Sequence, residues 1–170
     1  PFTCLTPVNS DKYDFVGGSQ EGLYFLKKRQ DWEILDRDEN SVKDVNKLIE
    51  FDNVLWGISS NSGLFQYNSD TTKLYDVQDC RTFKIYKKQL VVTTDEGFYN
   101  YKPADDRFEP FEELNDLLPA KYQGVEDFYV ANDSVWILYF NDEKMLTGDV
   151  FVNDQLVQKL PSFDARIEEN

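Results

Sequence analysis

Apolar and polar residues alternate along most of this chain in runs of four to eight, and the runs are broken by clusters of Gly, Asn, Asp, Ser and Lys. Alternation of that length between turn-forming clusters predicts half-buried β-strands. The runs come in pairs. Phe15-Val16-Gly17-Gly18-Ser19-Gln20-Glu21-Gly22-Leu23-Tyr24-Phe25-Leu26 is the first pair, and Leu55-Trp56-Gly57-Ile58-Ser59-Ser60-Asn61-Ser62-Gly63-Leu64-Phe65-Gln66-Tyr67 the second. Leu90 to Tyr101 is the third, with Asp95-Glu96-Gly97 at its middle. The fourth runs from Val135 to Phe140 and from Met145 to Val150, and it lacks the central glycine. In the first three, Gly22, Gly63 and Gly97 stand where a tight hairpin needs positive φ.

Further strands flank each pair. Trailing strands are predicted at Trp32 to Leu35, Leu74 to Val77, Phe108 to Phe111 and Leu156 to Leu160. Leading strands are predicted at Val45 to Phe51, Thr82 to Tyr86 and Val125 to Val130, before pairs two, three and four. The unit is a four-stranded meander that starts anew at residues 15, 55, 90 and 135. Short strands repeating every 40 residues or so predict an all-β fold of β-propeller type with about four blades, approximately 1–40, 41–79, 80–120 and 121–164. A β-sandwich would not show such self-similarity. One stretch departs from the pattern: Phe111 to Pro119 has apolar residues at helical spacing and ends on proline, which predicts a short inserted helix.

Composition narrows the function. Of 170 residues, 41% are hydrophobic, enough to fill a core. Net charge is −14, and so acidic a surface repels a phosphate backbone, which excludes nucleic acid as the expected partner. There is no histidine, which removes Ser-His-Asp and Cys-His nucleophilic sites and histidine-ligated zinc. No apolar run approaches the roughly 18–20 residues that cross a bilayer, so no membrane contact is expected of this segment. The chain opens at Pro1 without an initiator Met or a signal pattern, and is read as an excised piece of a longer protein. Cys4 and Cys80 are expected as two small buried thiols rather than a bridge. The sequon Asn132-Asp133-Ser134 reads as turn chemistry outside a eukaryotic secretory pathway.

Candidate chemistry is sparse. Asp36-Arg37-Asp38-Glu39-Asn40 imitates the opening of a calcium loop, but positions six and twelve hold Ser41 and Lys47 instead of Gly and Glu. A solvated acidic loop between sheets is the better account. The carboxylate pairs Asp95-Glu96, Asp105-Asp106 and Asp142-Glu143 fall in turns, where they give turn chemistry rather than a glycosidase pair. No glycine-rich phosphate loop leads from a strand into a helix. The expectation is no enzyme, no metal and no cofactor. Trp56 and Trp136 sit mid-strand among aliphatic residues and are expected in the core between sheets. Trp32 follows a polar turn between Asp31 and Glu33, and is the candidate exposed aromatic for ligand or partner contact. Tyr122, beside Lys121 and Gln123, is the second.

The motif Leu55 to Tyr67 resembles the two-component regulator propeller repeat, whose usual form is Leu-Trp-Ile-Gly-Thr, a few polar residues, Gly-Leu, an aromatic, any residue, and Tyr. Val91 to Tyr101 is similar with Phe98 for Leu, and Gly22-Leu23-Tyr24 keeps the core of the motif. Gly57-Ile58 reverses the usual Ile-Gly order, and the fourth unit has Met145 where Gly-Leu is expected. The resemblance implies a periplasmic sensor segment of a bacterial signalling regulator, as in hybrid two-component systems and regulators with a triple-tyrosine β domain, responsive to an oligosaccharide. It also implies a fragment of a larger ring, since such rings close with about seven blades. Neighbouring domains of the parent or a second copy would then cover the open edges. The alternative is a protein–protein interaction scaffold whose acidic surface meets a basic partner. The Gly-His and Trp-Asp signatures of WD repeats are absent from it. A third reading is a structural β segment that only supports its neighbours.

Overall fold

The computed structural model describes residues 2–38, 42–68 and 71–164. Among the described residues, sixteen strands form four antiparallel four-stranded meanders, and one single-turn helix interrupts them. Sheet 1 is β1 (Cys4–Pro7), β2 (Phe15–Ser19), β3 (Gly22–Lys28) and β4 (Trp32–Asp38). Sheet 2 is β5 (Val45–Phe51), β6 (Val54–Ser59), β7 (Gly63–Asn68) and β8 (Thr71–Leu74). Sheet 3 is β9 (Thr82–Tyr86), β10 (Gln89–Thr94), β11 (Gly97–Lys102) and β12 (Arg107–Pro110). After α1 (Glu112–Asn115), sheet 4 is β13 (Val125–Ala131), β14 (Ser134–Phe140), β15 (Leu146–Val152) and β16 (Gln155–Phe163). The fold is all-β and propeller-like.

Turn chemistry sets the registers. Asp52-Asn53, Lys87-Lys88 and Asn153-Asp154 each carry positive φ at both residues of a two-residue hairpin loop, the twist that suits right-handed strands. Gly22, Gly63 and Gly97 adopt positive φ as their positions predict. The fourth unit makes its central turn without glycine. The Asn141 side chain accepts bonds from the backbone N–H of Glu143 and Met145, and Lys144 supplies the positive φ.

Two compact units divide the chain, Pro1–Gln78 with sheets 1 and 2 and Asp79–Asn170 with sheets 3 and 4. In the first, β1 and β2 lie against β5. Val16, Leu23 and Phe25 of sheet 1 bury themselves with Val45, Leu55, Phe65 and Tyr67 of sheet 2. In the second, β10 lies against β13, and Tyr86, Val91 and Phe98 of sheet 3 pack with Phe128, Ile137 and Tyr139 of sheet 4. Full burial of such a side chain contributes about 1.5–3 kcal/mol, so these two face-to-face cores hold their units together.

The structure differs from the sequence reading in places. The trailing strand of sheet 2 is Thr71–Leu74, not Leu74 to Val77, because pairing starts at Thr71 opposite Asn68. Tyr75 then turns its ring onto Trp56, 5.2 Å between centroids. A leading strand precedes the first unit, at Cys4–Pro7, where the sequence pattern predicts none. The helix is one turn rather than the whole of 111–119. It lacks a side-chain N-cap, and Leu114 anchors it in the core. Asp36 to Asp38 belong to β4 rather than to an acidic loop, because they pair with Leu23, Tyr24 and Phe25. Glu39, Asn40 and Ser41 lie outside the described residues. Trp56 is buried as expected, but Trp136 is exposed, on the face of sheet 4 that points away from sheet 3. Both cysteines are reduced and half-buried.

Candidate functional site

Among the described residues of the first unit, an open cleft of about 890 Å³ lies between sheets 1 and 2. Its floor is a row of rings. Tyr13 lies 4.8 Å from Phe25, and Phe25 lies 5.8 Å from Tyr67, each pair tilted by 40°. Val16 and Leu55 complete the apolar base, and Lys12, Asp36, Asn9, Glu50 and Asn53 form the rim.

The loop between β1 and β2 is fixed in place by backbone and side-chain bonds. Val8 N–H donates to the Asp14 carbonyl (3.1 Å), and Asp14 N–H to the Leu26 carbonyl (2.8 Å). Asn9 reaches across to sheet 2. Its backbone N–H donates to Glu50 Oε2 (2.6 Å) and its side-chain amide to Asn53 Oδ1 (3.3 Å). Tyr13 is held in the cleft floor by its hydroxyl, which donates to Asp36 Oδ2 (3.1 Å), and Lys12 Nζ stands 3.8 Å from the same oxygen. Behind the loop, the backbone N–H of Lys28 and then the Lys27 ammonium lower the Asp14 pKa and keep it anionic. These bonds give a loop of polar residues a definite shape without regular structure, as binding loops on rigid sheets have.

Such a site offers ring faces for apolar C–H surfaces, with amides, hydroxyls and carboxylates around them for hydroxyl groups. Among the described residues, no three Cys, Asp or Glu side chains come together as a metal site, and no helix is long and apolar enough to cross a membrane. The carboxylate pairs fall in turns. Asp95 holds Arg81 (2.5 Å), Glu96 accepts the Tyr99 hydroxyl (2.7 Å), and Asp106 accepts that of Tyr101 (2.8 Å).

Neither sequence-selected aromatic lines the cleft. Trp32, half exposed, lies edge-on to Phe15 at 5.1 Å on the face of sheet 1 that points away from sheet 2. Lys28 Nζ stands 5.6 Å from its ring. Tyr122, in the second unit, is half-buried against the core, and its hydroxyl donates to the Glu96 carbonyl (2.6 Å). The cleft residues are scattered in the sequence because they come from the loop between β1 and β2 and from strands of two sheets. The available signal was the polar stretch Asn9 to Asp14, with Tyr13 inside it.

These observations define an all-β protein of propeller-like architecture with an aromatic-floored cleft. The chain matches no protein-family model and no curated protein sequence. Among solved structures it is similar to the crystal structure of the N-terminal domain of Nup159, with a TM-score of 0.55 and 12% identity over 94% of this chain and 43% of that one. The chain thus spans less than half the length of the structure it matches. At that identity the likeness carries the fold alone, and it does not single out the two-component regulator family.

Proposed function

We propose that this chain is a non-catalytic propeller segment of an extracytoplasmic sensor in a bacterial two-component-type regulator, and that its cleft binds an oligosaccharide. The observation that carries the reading is the row Tyr13, Phe25 and Tyr67 beneath a rim of amide, hydroxyl and carboxylate groups. Sugars present flat C–H faces bordered by hydroxyls, and this arrangement matches both. The repeat motif at Leu55 to Tyr67 supports the regulator assignment, and the propeller-like fold is compatible with it. A segment of a larger ring in the periplasm, anchored through its parent, is part of the same proposal. Trp32 and Tyr122 are proposed as outlying contacts for ligand or partner. Tyr122 is the weaker, since its hydroxyl is engaged by Glu96.

Thermal melting against a panel of soluble oligosaccharides, neutral and uronic-acid-containing, tests the proposal. A ligand at 100 times its Kd stabilises by about 2.7 kcal/mol, a rise of several degrees for a chain of this size. Tyr13→Ala should abolish the rise. A panel that leaves the melting temperature unchanged overturns the oligosaccharide assignment. The net charge of −14 favours a second reading, a scaffold that meets a basic protein partner. Binding of a polylysine probe that salt alone reverses would support it.

A further inference from the structure

Three carboxylates, Asp36, Asp38 and Glu50, and two cations, Lys12 and Arg37, line the cleft of the first unit. The register of sheet 1 sorts them. Asp36 and Asp38 stand opposite Phe25 and Leu23, on the face that packs towards sheet 2. Arg37 lies between them opposite Tyr24, so its side chain goes to the other face. There its guanidinium meets Glu21 Oε2 at 2.5 Å and lies over the Tyr24 ring, 4.9 Å from the centroid. Glu50, near the end of β5, is held at the rim by the Asn9 N–H at 2.6 Å. Within the cleft, three carboxylates are thus set against one ammonium.

That ammonium has a defined place. Lys12 Nζ stands 4.8 Å from the centroid of the Tyr13 ring and 3.8 Å from Asp36 Oδ2. A cation between a ring face and a carboxylate gains from the ring's quadrupole and from the opposite charge. Tyr13 begins the aromatic row that Phe25 and Tyr67 continue. The Lys12 side chain is 67% exposed, so a ligand's ammonium can displace it into water. A uronic acid would instead bring a fourth carboxylate against the three, and like charges at such range repel. A neutral sugar uses the ring faces and leaves the excess negative charge unanswered.

We propose, resting on the oligosaccharide reading of this cleft, that its ligand is an oligosaccharide of free amino sugars. One protonated amine takes the Lys12 position, between the Tyr13 ring and Asp36. The sugar rings stack along Tyr13, Phe25 and Tyr67, and Asp38 and Glu50 receive hydroxyls or a second amine. Acetylating the amine removes its charge and leaves the sugar ring. The free amine therefore adds about three- to tenfold in affinity over its acetylated form, the range of an exposed cation–π contact joined to an ion pair.

The test is isothermal titration calorimetry of the 170-residue chain with tetramers of glucosamine, N-acetylglucosamine and galacturonic acid. The glucosamine tetramer should bind about three- to tenfold tighter than its acetylated counterpart, and the galacturonate most weakly. Asp36→Asn keeps an acceptor for the Tyr13 hydroxyl and should erase the preference for the free amine. Lys12→Ala should widen it. Lys159→Ala, on β16 of the second unit, makes the same change of net charge and should leave it as it is. Equal binding of the two glucosamine forms, tighter binding of galacturonate, or a preference that survives Asp36→Asn overturns the amino-sugar assignment and leaves the oligosaccharide reading standing. So does an equal effect of Lys12→Ala and Lys159→Ala, which would mean a bulk attraction of the polycation. Failure of all three tetramers overturns both. A lysine tetrapeptide that binds in their place, with the same dependence on Asp36, would assign the cleft to a basic protein partner instead.

Discussion

The Asn115 side chain bonds both sides of the Phe98 backbone: Phe98 N–H donates to Asn115 Oδ1 at 2.8 Å, and Asn115 Nδ2 donates to the Phe98 carbonyl at 2.9 Å. An amide on the one-turn helix thereby acts as an additional strand residue beside β11. Phe98 is fully buried and forms an edge-to-face pair with Phe128 at 5.4 Å, so the bond pair ties the helix to the centre of the second core.

Asn115→Ala should therefore destabilise the chain by about 1–3 kcal/mol, since the Phe98 N–H loses its acceptor, while the Phe98 carbonyl keeps the Phe111 N–H at 2.8 Å. Asn115→Asp keeps Oδ1 as acceptor and loses the donor, so it should fall between the two. Urea unfolding measures the cost, and amide exchange at Phe98 should accelerate in Asn115→Ala, which removes its acceptor, and much less in Asn115→Asp, which keeps it. Unchanged exchange at Phe98 would show that the helix is not what protects it.

Gly57 and Gly63 should respond differently to alanine. A Cβ on Gly57 would stand 2.1 Å from Phe65 Cζ, inside a fully buried ring. Gly57→Ala should cost at least 1–3 kcal/mol, about the usual penalty of overpacking. A Cβ on Gly63 meets nothing within 4 Å, but its φ is +74°. Gly63→Ala should cost about 1 kcal/mol through backbone strain alone. Urea unfolding of both variants gives the comparison, and Phe65→Leu beside Gly57→Ala should recover part of the loss.

Gly57 also shows what the sequence could reveal. The Gly-Ile order at 57–58 departs from the repeat motif, and only the position of the Phe65 ring explains it. The alternation of apolar and polar residues was enough to place β5 at Val45–Phe51 and β9 at Thr82–Tyr86. It failed at β1, four residues ending on proline, and at β8, where Tyr75 continues the apolar rhythm but turns onto Trp56. Burial was less legible. Trp56 and Trp136 have the same strand position and similar neighbours, yet Trp56 is buried, with the Tyr75 ring 5.2 Å away, and Trp136 is exposed. The cleft was not legible, since Asn9, Tyr13, Phe25, Glu50 and Tyr67 meet only through sheet stacking.

Cys80 should resist alkylation. Burial, with Asp79 adding to it, pushes its thiol up to about 12, and burial raises Cys4 as well. The thiolate is the reactive form, and at pH 8 a thiol of pKa about 12 is ionised to only about one part in ten thousand, against about a quarter for an ordinary cysteine. In a Cys4→Ser chain, iodoacetamide at pH 8 followed by intact mass should label native Cys80 at least a hundredfold more slowly than in guanidinium. Rates within tenfold of each other would mean that Cys80 is open to solvent.

Tyr139 links stability to alkaline pH. Its hydroxyl donates to Asp149 Oδ2 at 3.0 Å inside the second core, and burial first, then this bond, pushes the phenol up to about 12. The unfolded chain loses that proton near pH 10. Between about pH 10 and 12 the unfolded state releases a proton that the folded state keeps, so rising pH favours unfolding. The contribution is complete below pH 10 and is lost as pH climbs through 12. Tyr99, raised to about 12 mainly by its bond to Glu96, adds to the same window. Unfolding free energy measured in urea should be flat with respect to these groups up to about pH 9.5 and decline above it. Tyr139→Phe should cost about 1–3 kcal/mol at pH 7, because the buried Asp149 loses its donor, and should make the alkaline decline shallower. A Tyr139→Phe chain that declines as steeply as wild type between pH 10 and 12 would remove Tyr139 from the linkage and leave it to the other raised groups, Tyr99 and Cys80 among them.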